Sequence, residues 1–227
     1  MEYPGQELEI FDKATIWRKY ISILTKKYFK NDFLEVGAGI GSFTSNYYKN
    51  IKNIVLTELD EKNIKILKDK YSADKNITIQ NKKISEINEK FNTIIYLNVL
   101  EHIKEDTLEI RSALDKLNLG GCLIILVPAH QELYGKFDEA VGHYKRYNID
   151  YFKFSKFENA KIEKLIYLDL FGYLLYFLNK LFFKDEVYPS KFKIFLWDKI
   201  FSPITFFLDY LTRYKFGKNI LCVYKKI

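Results

Sequence analysis

Three glycines at alternating positions, Gly37, Gly39 and Gly41, follow a short apolar run at 33–36. An apolar run, a glycine-rich turn and helix-forming residues, in that order, are typical of a strand, a tight turn and a helix. Glycine suits such a turn because its backbone adopts positive φ and lets a ligand approach the bare amides. Those amides and the positive end of the following helix favour polar ligand groups. The segment therefore predicts a nucleotide-binding loop, and the alternative is a tight turn without a ligand.

An acidic residue, Glu58, ends the second predicted strand, 21 residues after Gly37. Nucleotide-binding folds keep at about this distance the carboxylate that accepts hydrogen bonds from the ribose hydroxyls. Asp60 is suited to cap a helix over 61–71. Ser42 stands where a dinucleotide fingerprint has its third small residue, which disfavours a dinucleotide as the ligand.

A second stretch with reactive side chains, A-H-Q-E-L-Y-G-K-F-D-E-A-V-G-H-Y-K-R-Y at 129–147, follows an apolar run closed by Pro128. A loop in this place leaves the carboxyl edge of the sheet, where open α/β folds bind ligands. His143 is the leading candidate for a general base, because imidazole has an unperturbed pKa of ~6.5, and Asp138 could orient it. The candidate substrate-binding residues are Tyr134, Tyr144, Arg146 and Tyr147. The alternative is an ordered structural corner over 142–147.

The spacing G-x-G-x-G with Glu35 two residues ahead, taken with L-N-V-L-E-H-I at 97–103, resembles the class I S-adenosylmethionine-dependent methyltransferases. The resemblance covers roughly residues 3–147. It implies a Rossmann-like, doubly wound α/β fold with a seven-stranded, mostly parallel sheet, and S-adenosyl-L-methionine as the cofactor. The pieces L-Y-G-x-x-D and G-H-Y-x-R-Y within 129–147 resemble a branch of that family often met among sugar and cell-envelope genes.

In that family the glycine loop holds the methionine end of the cofactor, and the acid after the second strand holds the ribose. The backbone of Asn98 would border the reactive end of the cofactor. Near the adenine the family usually has an aspartate, whereas this chain has Asn81, which can accept a hydrogen bond, and then Lys82, which cannot. The implied cofactor-binding residues are Glu35, Gly37, Ala38, Gly39, Gly41, Glu58, Leu59, Asn81, Asn98 and Val99.

The three histidines of the chain include no H-x-x-x-H pair, so no metal site is predicted. For His102 we favour a structural role, as a hydrogen-bonded residue that braces the glycine loop.

Apolar periodicity indicates the elements that must position these residues. An amphipathic helix is predicted over 14–29, and by resemblance it also closes over the cofactor pocket. A helix is predicted over 106–117, with Asp106 as its cap and with Gly120 and Gly121 after its end. Strands are predicted over 32–36, 53–57, 76–80, 93–98, 122–127, 161–168 and 219–224. Their alternation with helices predicts a parallel sheet covered on both faces, and the family pairs the last two strands as an antiparallel hairpin.

The unusual part is residues 169–218, about 50 residues rich in Phe, Tyr, Leu and Lys between the last two strands. We expect one methyltransferase domain over 1–227 in which 169–218 form a helical, aromatic and basic lid. Ser202 and Pro203 predict the start of a helix. Four of its apolar residues share a face: Ile204, Phe207, Leu208 and Leu211.

Charge and aromatic residues are concentrated in the same third of the chain. Residues 151–227 contain 14 Lys and Arg against 7 Asp and Glu, whereas residues 1–150 contain 22 of each. Residues 151–227 also hold 22 of the 39 aromatic residues, so we expect the surface that contacts a partner to lie there. The alternative is a lysine-rich face that merely solvates the protein.

The apolar piece 165–183 is interrupted by Asp169, Asn179 and Lys180, which favours a buried or interfacial helix over a spanning one. Cys122 and Cys222 lie in apolar runs and are typical of a reducing compartment. Residues 1–10 are polar and lack a signal-peptide pattern. We expect a cytoplasmic protein with peripheral contact at the inner membrane face through 169–218.

The predicted function is O-methylation of a hydroxyl on a sugar or lipid-linked cell-envelope intermediate, by direct displacement with His143 as the base. RNA methylation is the alternative, because Lys beside Tyr and Phe also suits phosphate contact and base stacking. A third reading is a non-catalytic module that keeps the cofactor fold. A dehydrogenase would instead bind a nicotinamide dinucleotide.

Overall fold

A seven-stranded sheet forms the centre of the structure, a computed structural model that describes residues 7–182 and 187–227. The strands are β1 (Phe33–Val36), β2 (Ile54–Thr57), β3 (Ile77–Gln80), β4 (Phe91–Leu97), β5 (Leu117–Pro128), β6 (Ala160–Leu168) and β7 (Asn219–Lys226). Across the sheet they run in the order β3-β2-β1-β4-β5-β7-β6. The first five are mutually parallel, and β7 is antiparallel to both β5 and β6. The predicted mostly parallel sheet and its final antiparallel hairpin are confirmed.

Helices cover the two faces and the carboxyl edge of this sheet. They are α1 (Glu7–Phe11), α2 (Thr15–Thr25), α3 (Glu61–Lys70), α4 (Asp106–Asp115), α5 (Lys136–Val141), α6 (Ile149–Phe154), α7 (Leu170–Phe182), α8 (Lys191–Leu196) and α9 (Ser202–Leu211). A π-helical turn, Trp197–Phe201, joins α8 directly to α9. These two helices and the turn form one continuous helix over 191–211, which we call the α8–α9 helix.

The core lies on both faces of the sheet because consecutive residues in the middle of its central strands are apolar. Alternate residues of β5 enter different hydrophobic clusters, Ile124 and Leu126 on one face and Leu123 and Ile125 on the other. All four are at most 2% exposed. Such a doubly covered strand is the pattern expected in a parallel sheet with helices on both sides.

The helix predicted over 106–117 ends at Asp115, because Leu117 already begins β5. Gly120 and Gly121 therefore lie inside a strand, next to an irregularity in the pairing of β4 with β5. Asp106 is also no cap. Its buried carboxylate accepts a hydrogen bond from the Tyr147 hydroxyl at 2.8 Å and pairs with Lys145. The cap at Asp60 is confirmed, since its side chain accepts from the amide of Asn63 at 2.9 Å.

α9 begins at Ser202, as expected, but it continues directly from the π-helical turn before it. The Ser202 hydroxyl donates to the carbonyl of Trp197 at 3.1 Å. Pro203 has no N–H to give to the preceding turn, and the π-helical turn lies where that bond would otherwise form. Helix therefore continues through the proline instead of beginning at it.

Two buried carboxylates join the α8–α9 helix to the rest of the protein. Asp198 accepts hydrogen bonds from the amides of Ile16 at 3.2 Å and Trp17 at 2.8 Å, in the first turn of α2. Asp209 accepts from the amide of Leu170 at 3.0 Å, at the start of α7, and from the Tyr20 hydroxyl at 3.0 Å. Each carboxylate thus satisfies helix N-terminal amides that lie far away in the sequence.

We expect Asp198→Ala to lower the free energy of unfolding by ~2 kcal/mol, because it leaves two amides of α2 without their acceptor in a buried place. Urea unfolding followed by circular dichroism measures the change. Asp150→Ala is the control, because Asp150 is exposed and its ion pair in the described part of the chain is with exposed Lys153. Its cost should stay below ~0.5 kcal/mol. Equal costs for the two variants would contradict the role of Asp198.

Candidate active site

The strand order reverses between β1 and β4, which is where open α/β sheets bind ligands. The loops that follow these two strands border one large cavity, of about 1890 Å³. Typical ligand pockets measure ~300–1,000 Å³, so this cavity has room for a cofactor together with an acceptor. The wall opposite these two loops is built by α2 and by the helices of 169–218, through Trp17, Leu175, Tyr176 and Trp197.

The glycine loop after β1 leaves no space for a side chain at its first position. Gly37 has φ +66°, and a Cβ there would lie 2.7 Å from Cγ2 of Val99, which follows β4. Gly39, at φ +56°, faces the cavity, and the nearest atom to its Cβ position belongs to Leu8 at 3.5 Å. The two loops therefore pack against each other at Gly37, while the backbone at Gly39 faces the cavity without a side chain.

Glu58 holds the turn between β2 and α3 against the glycine loop. One carboxylate oxygen accepts from the amide of Gly39 at 2.8 Å, and the other accepts from the amides of Leu59 at 2.7 Å and Asp60 at 2.9 Å. The side chain is half-buried and lines the cavity. A carboxylate has about four acceptor positions, so it retains capacity for ribose hydroxyls.

Glu35 lies in β1 beneath the glycine loop. It accepts hydrogen bonds from the Thr44 hydroxyl at 2.5 Å and from the Tyr47 hydroxyl. Burial raises the pKa of Glu35 to about 7, against the hydrogen bonds from Thr44 and Tyr47, which lower it. The residue borders the cavity from below, and its bonds fix the residues that follow the glycines.

A second group of polar side chains, in the segment after β5, lies on the same cavity. The buried carboxylate of Asp138 accepts from Nδ1 of His143 at 2.7 Å. The guanidinium of Arg146 donates to the two oxygens of Asp138 at 2.8 Å and 3.0 Å. Burial alone would raise the pKa of Asp138, but the hydrogen bonds from His143 and Arg146 lower it. Asp138 is therefore an ionised residue that fixes the imidazole and the guanidinium together.

Glu101 faces His143 from the other side. Its Oε1 lies 3.9 Å from Nε2 of His143, and neither carboxyl oxygen has a hydrogen-bond partner although the residue is 1% exposed. Burial, and then the charge of Asp138, raises the pKa of Glu101 to about 8. At neutral pH this group is thus a carboxylic acid in the wall of the cavity.

His102 does not brace the glycine loop as expected. Its ring packs edge-on against the ring of His143, with 4.6 Å between centroids, and it hydrogen-bonds the backbone of Gly142. Burial, followed by the proximity of His143, lowers the pKa of His102 to about 4. The reason is the chain path: the short 3₁₀ turn Leu100–His102 points towards the segment after β5. His102 therefore supports His143.

Donor atoms of Glu101, His102 and His143 lie within 4.8 Å of one another. Bonds of ~2.1 Å would place neighbouring tetrahedral ligands about 3.4 Å apart, closer than the 3.9 Å between Glu101 and His143. Binding one ion would thus require these side chains to move. The absence of a metal remains a prediction.

A family model described as a methyltransferase domain matches residues 13–162, more than half of the chain. The chain belongs to this family. It is an S-adenosylmethionine-dependent methyltransferase of class I, as its sequence motifs predicted. In a comparison with curated proteins, no sequence matches the methyltransferase.

Solved structures share the fold at low sequence identity. One is the complex of the Haloferax volcanii Trm112 methyltransferase activator with a methyltransferase (9% identity, TM-score 0.64, 98% of this chain and 94% of that one). Another is an S-adenosylmethionine-dependent methyltransferase from Clostridium acetobutylicum (15%, 0.60, 96% of each chain). A third is the N-methyltransferase NodS from Bradyrhizobium japonicum with S-adenosyl-L-homocysteine (14%, 0.58, 98% and 92%). At these identities the similarity concerns the fold.

Most residues that the sequence assigned to the cofactor line the cavity of the methyltransferase. Ala38, Leu59, Asn98 and Val99 are among them, and Asn98 adopts a left-handed backbone with φ 54°. Asn81 is a correction: it is exposed after the end of β3, and the cavity wall there consists of Lys82, Lys83 and Ile84.

The four predicted acceptor-binding residues divide into two pairs. Tyr144 and Arg146 line the cavity. Tyr134 instead donates from its hydroxyl to the carbonyl of His143 at 2.7 Å, and Tyr147 is buried with its hydroxyl on Asp106 at 2.8 Å. These two tyrosines belong to the structural corner, and Arg146 is bound there by Asp138.

Sequence reasoning missed Glu101 and Tyr176 as cavity residues. Tyr176 lies in α7, and its ring stacks on the guanidinium of Arg146 with 4.5 Å from Cζ to the centroid. A buried acid at 101 was visible only as part of a family motif, and no spacing relates Tyr176 to Arg146. Both residues reach the cavity through contacts between segments that are distant in the sequence.

We expect Gly37→Ala to weaken the binding of S-adenosyl-L-homocysteine at least tenfold, because the new Cβ would displace Val99 and strain a backbone at positive φ. Titration calorimetry measures the dissociation constant. Gly120→Ala is a matched control: Gly120 also has positive φ, at +74°, but no atom lies within 4 Å of its Cβ position. Loss of affinity in both variants would attribute the effect to backbone strain rather than to the contact between the loops.

We expect Glu101→Gln to change how stability depends on pH. The folded-state pKa of Glu101, about 8, exceeds the ~4.3 of an unfolded glutamate, so between these values the folded protein keeps a proton that the unfolded chain has lost. The contribution of Glu101 to the free energy of unfolding therefore declines as pH rises through this window. Urea unfolding should show the variant gaining stability relative to the wild-type protein from pH 5 to pH 8.

The control for this series is Glu163→Gln, which changes an exposed glutamate of β6. Its stability difference from the wild-type protein should stay constant over the same pH range. A constant difference for Glu101→Gln would contradict the burial of an unpaired carboxyl.

Proposed function

We propose that this methyltransferase methylates a hydroxyl group of a sugar or lipid-linked cell-envelope intermediate, with His143 as the general base. S-adenosyl-L-methionine, when bound, supplies a methyl group on a positively charged sulfur. A hydroxyl acceptor must lose its proton during the transfer, so a base within hydrogen-bond reach accelerates the reaction. Positioning supplies the rest, because direct displacement needs no covalent intermediate with the protein.

The observation that carries this proposal is the Asp138–His143 hydrogen bond at the cavity wall. Because ionised Asp138 can only accept, His143 must carry its proton on Nδ1. The lone pair then lies on Nε2, which faces Glu101 and the cavity. Protonated Glu101 lacks a negative charge that would hold a proton on Nε2. The imidazole is thus oriented and in the tautomer that accepts a proton.

The residues that would hold the cofactor fit their role. The absence of a side chain at Gly39 lets the methionine part of the cofactor approach the backbone of the loop, and Glu58 retains acceptor capacity for the ribose. In this proposal Asn98 and Val99 border the reactive end, and Glu35 holds the glycine loop from below. Tyr144 and Arg146 remain the candidates for acceptor contact.

We further propose that residues 1–227 form one domain with 169–218 as the lid. Several residues of this segment, Gly172, Leu175 and Trp197 among them, line the cavity opposite the glycine loop. The lid therefore excludes water from the reacting groups, which strengthens the electrostatic interactions inside the cavity.

The acceptor class is tested with methyl-labelled S-adenosyl-L-methionine, the purified protein and a cell extract. After reaction, the extract is divided into organic-soluble, small polar and nucleic-acid fractions. We expect label in an organic-soluble or small polar product. Label that nuclease releases would replace this proposal by RNA methylation, and binding of the cofactor without transfer to any fraction would favour a non-catalytic module.

We expect His143→Ala to lower kcat by ~10²–10⁴-fold, the usual contribution of a positioned base. The affinity for S-adenosyl-L-homocysteine should not change, which calorimetry checks. Tyr134→Phe is the control for the position of the segment, because it removes only the hydroxyl that donates to the carbonyl of His143. Its kcat should fall less than tenfold. Unchanged turnover in His143→Ala would remove the base from the proposal.

A further inference from the structure

The α8–α9 helix turns an apolar stripe towards solvent. Its members recur at spacings of three to five residues along 191–211, so they share one side of the helix. They are all exposed, from 43% at Ile204 to 67% at Phe192. The stripe consists of Phe192, Phe195, Ile200, Ile204, Phe207 and Leu211.

The buried side of the same helix carries four polar residues besides the apolar Ile194 and Trp197. Asp198, Ser202, Thr205 and Asp209 are all fully buried. Asp198 and Asp209 hold α2 and α7 as described above, and the Thr205 hydroxyl lies 3.3 Å from Asp169. A surface helix of a globular protein normally shows the reverse arrangement, with the apolar side inward. These buried hydrogen bonds fix the rotation of the α8–α9 helix about its axis. The apolar stripe, on the other side of the helix, therefore faces solvent.

The charge around the stripe has one sign. Residues 187–218 contain six Lys and Arg but only two acids, Asp198 and Asp209, and both acids are buried. Lys191 is exposed at one end of the helix, and Arg213 and Lys215 are exposed just beyond the other. An outward surface with cations, large apolar groups and no exposed carboxylate in this range complements a surface that is apolar and anionic.

We propose that the apolar stripe and its flanking cations dock this methyltransferase on an anionic lipid bilayer. The helix lies in the plane of the interface, with its aromatic and aliphatic side chains among the acyl chains and its cations at the lipid phosphates. Twenty-one residues give it a length of ~30 Å along the surface. No helix in the described part of the chain is long and apolar enough to cross a membrane. Exposed Leu174, Phe177 and Phe216 add to the apolar surface of the same segment.

Docking in this way has a consequence for the acceptor. Ile194, Trp197 and Phe201 of the α8–α9 helix line the cavity, so the helix separates the cavity from the docked surface. The thickness of one helix, ~10 Å, would then lie between a bilayer-anchored acceptor and the cavity. This consequence rests on the proposed function, whereas vesicle binding itself does not.

Flotation of the full chain with lipid vesicles tests the proposal. We expect the protein to float with vesicles of phosphatidylglycerol and phosphatidylcholine at low salt, and to bind pure phosphatidylcholine at least tenfold more weakly. Phe195→Ser with Phe207→Ser should lower binding at least tenfold through lost apolar contact. Lys191→Glu with Lys215→Glu should have a comparable effect through charge repulsion, and 0.5 M salt should weaken binding of the wild-type protein.

The matched control is Leu119→Ser with Phe154→Ser, which removes two exposed apolar side chains outside the 169–218 segment. This variant should bind vesicles like the wild-type protein. Failure of the wild-type protein to float with anionic vesicles would overturn the proposal. Self-association that is lost in Phe195→Ser with Phe207→Ser, without vesicle binding, would overturn it in favour of a second copy of the chain. The affinity for S-adenosyl-L-homocysteine checks that each variant keeps its cavity intact.

Discussion

The close contact between Gly37 and Val99 is the constraint on which the site depends. It exists because β1 and β4 are neighbours at the point where the strand order reverses, so the loops after both strands leave the same edge. A Cβ at residue 37 would push these loops apart. Their contact sets the position of the amides near Gly39 on one side and of the 3₁₀ turn that carries Glu101 and His102 on the other. The proposed cofactor site and the residues beside His143, the proposed base, are therefore positioned by one packing contact.

Buried carboxyl groups around the cavity differ in whether they have partners, and this difference separates their roles. Ionised carboxylates are costly to bury, by several kcal/mol each, unless hydrogen bonds and opposite charge compensate. Asp138, Asp198 and Asp209 have such partners and hold elements together. Glu101 has none and is kept protonated by its surroundings. Glu101 can hold a proton without a change in packing. It is therefore suited to lie beside His143, the proposed base, which would gain and lose a proton.

Local pattern was sufficient to predict the strands, the glycine loop and the Asp60 cap, because each of these is determined by neighbours in the sequence. The Asp138–His143 pair was also within reach, since five residues separate its members. Asp106 was assigned incorrectly as a cap because a distant partner, Tyr147, outweighed the local preference, and the local pattern did not show that α9 continues from a helical turn before it. Periodicity placed Ile204, Phe207 and Leu211 on one face, but their outward direction follows from Asp198 and Asp209 bonding to segments about 180 and 40 residues away.

The same two aspartates limit how the cavity can open. Separating the α8–α9 helix from α2 would strip Asp198 of the amides of Ile16 and Trp17 while leaving the carboxylate buried. Breaking a buried charge from its partners typically costs ~3–5 kcal/mol, and Asp209 with Tyr20 adds a second such contact. α2 and the α8–α9 helix therefore form one wall that moves as a unit. Among the described hydrogen bonds, the wall that carries Phe137, His143 and Tyr144 has none to α2 or to the α8–α9 helix, and its weak 3.5 Å contact between Asp138 and Tyr176 is to α7. We therefore expect an acceptor to enter between these two walls, beside His143.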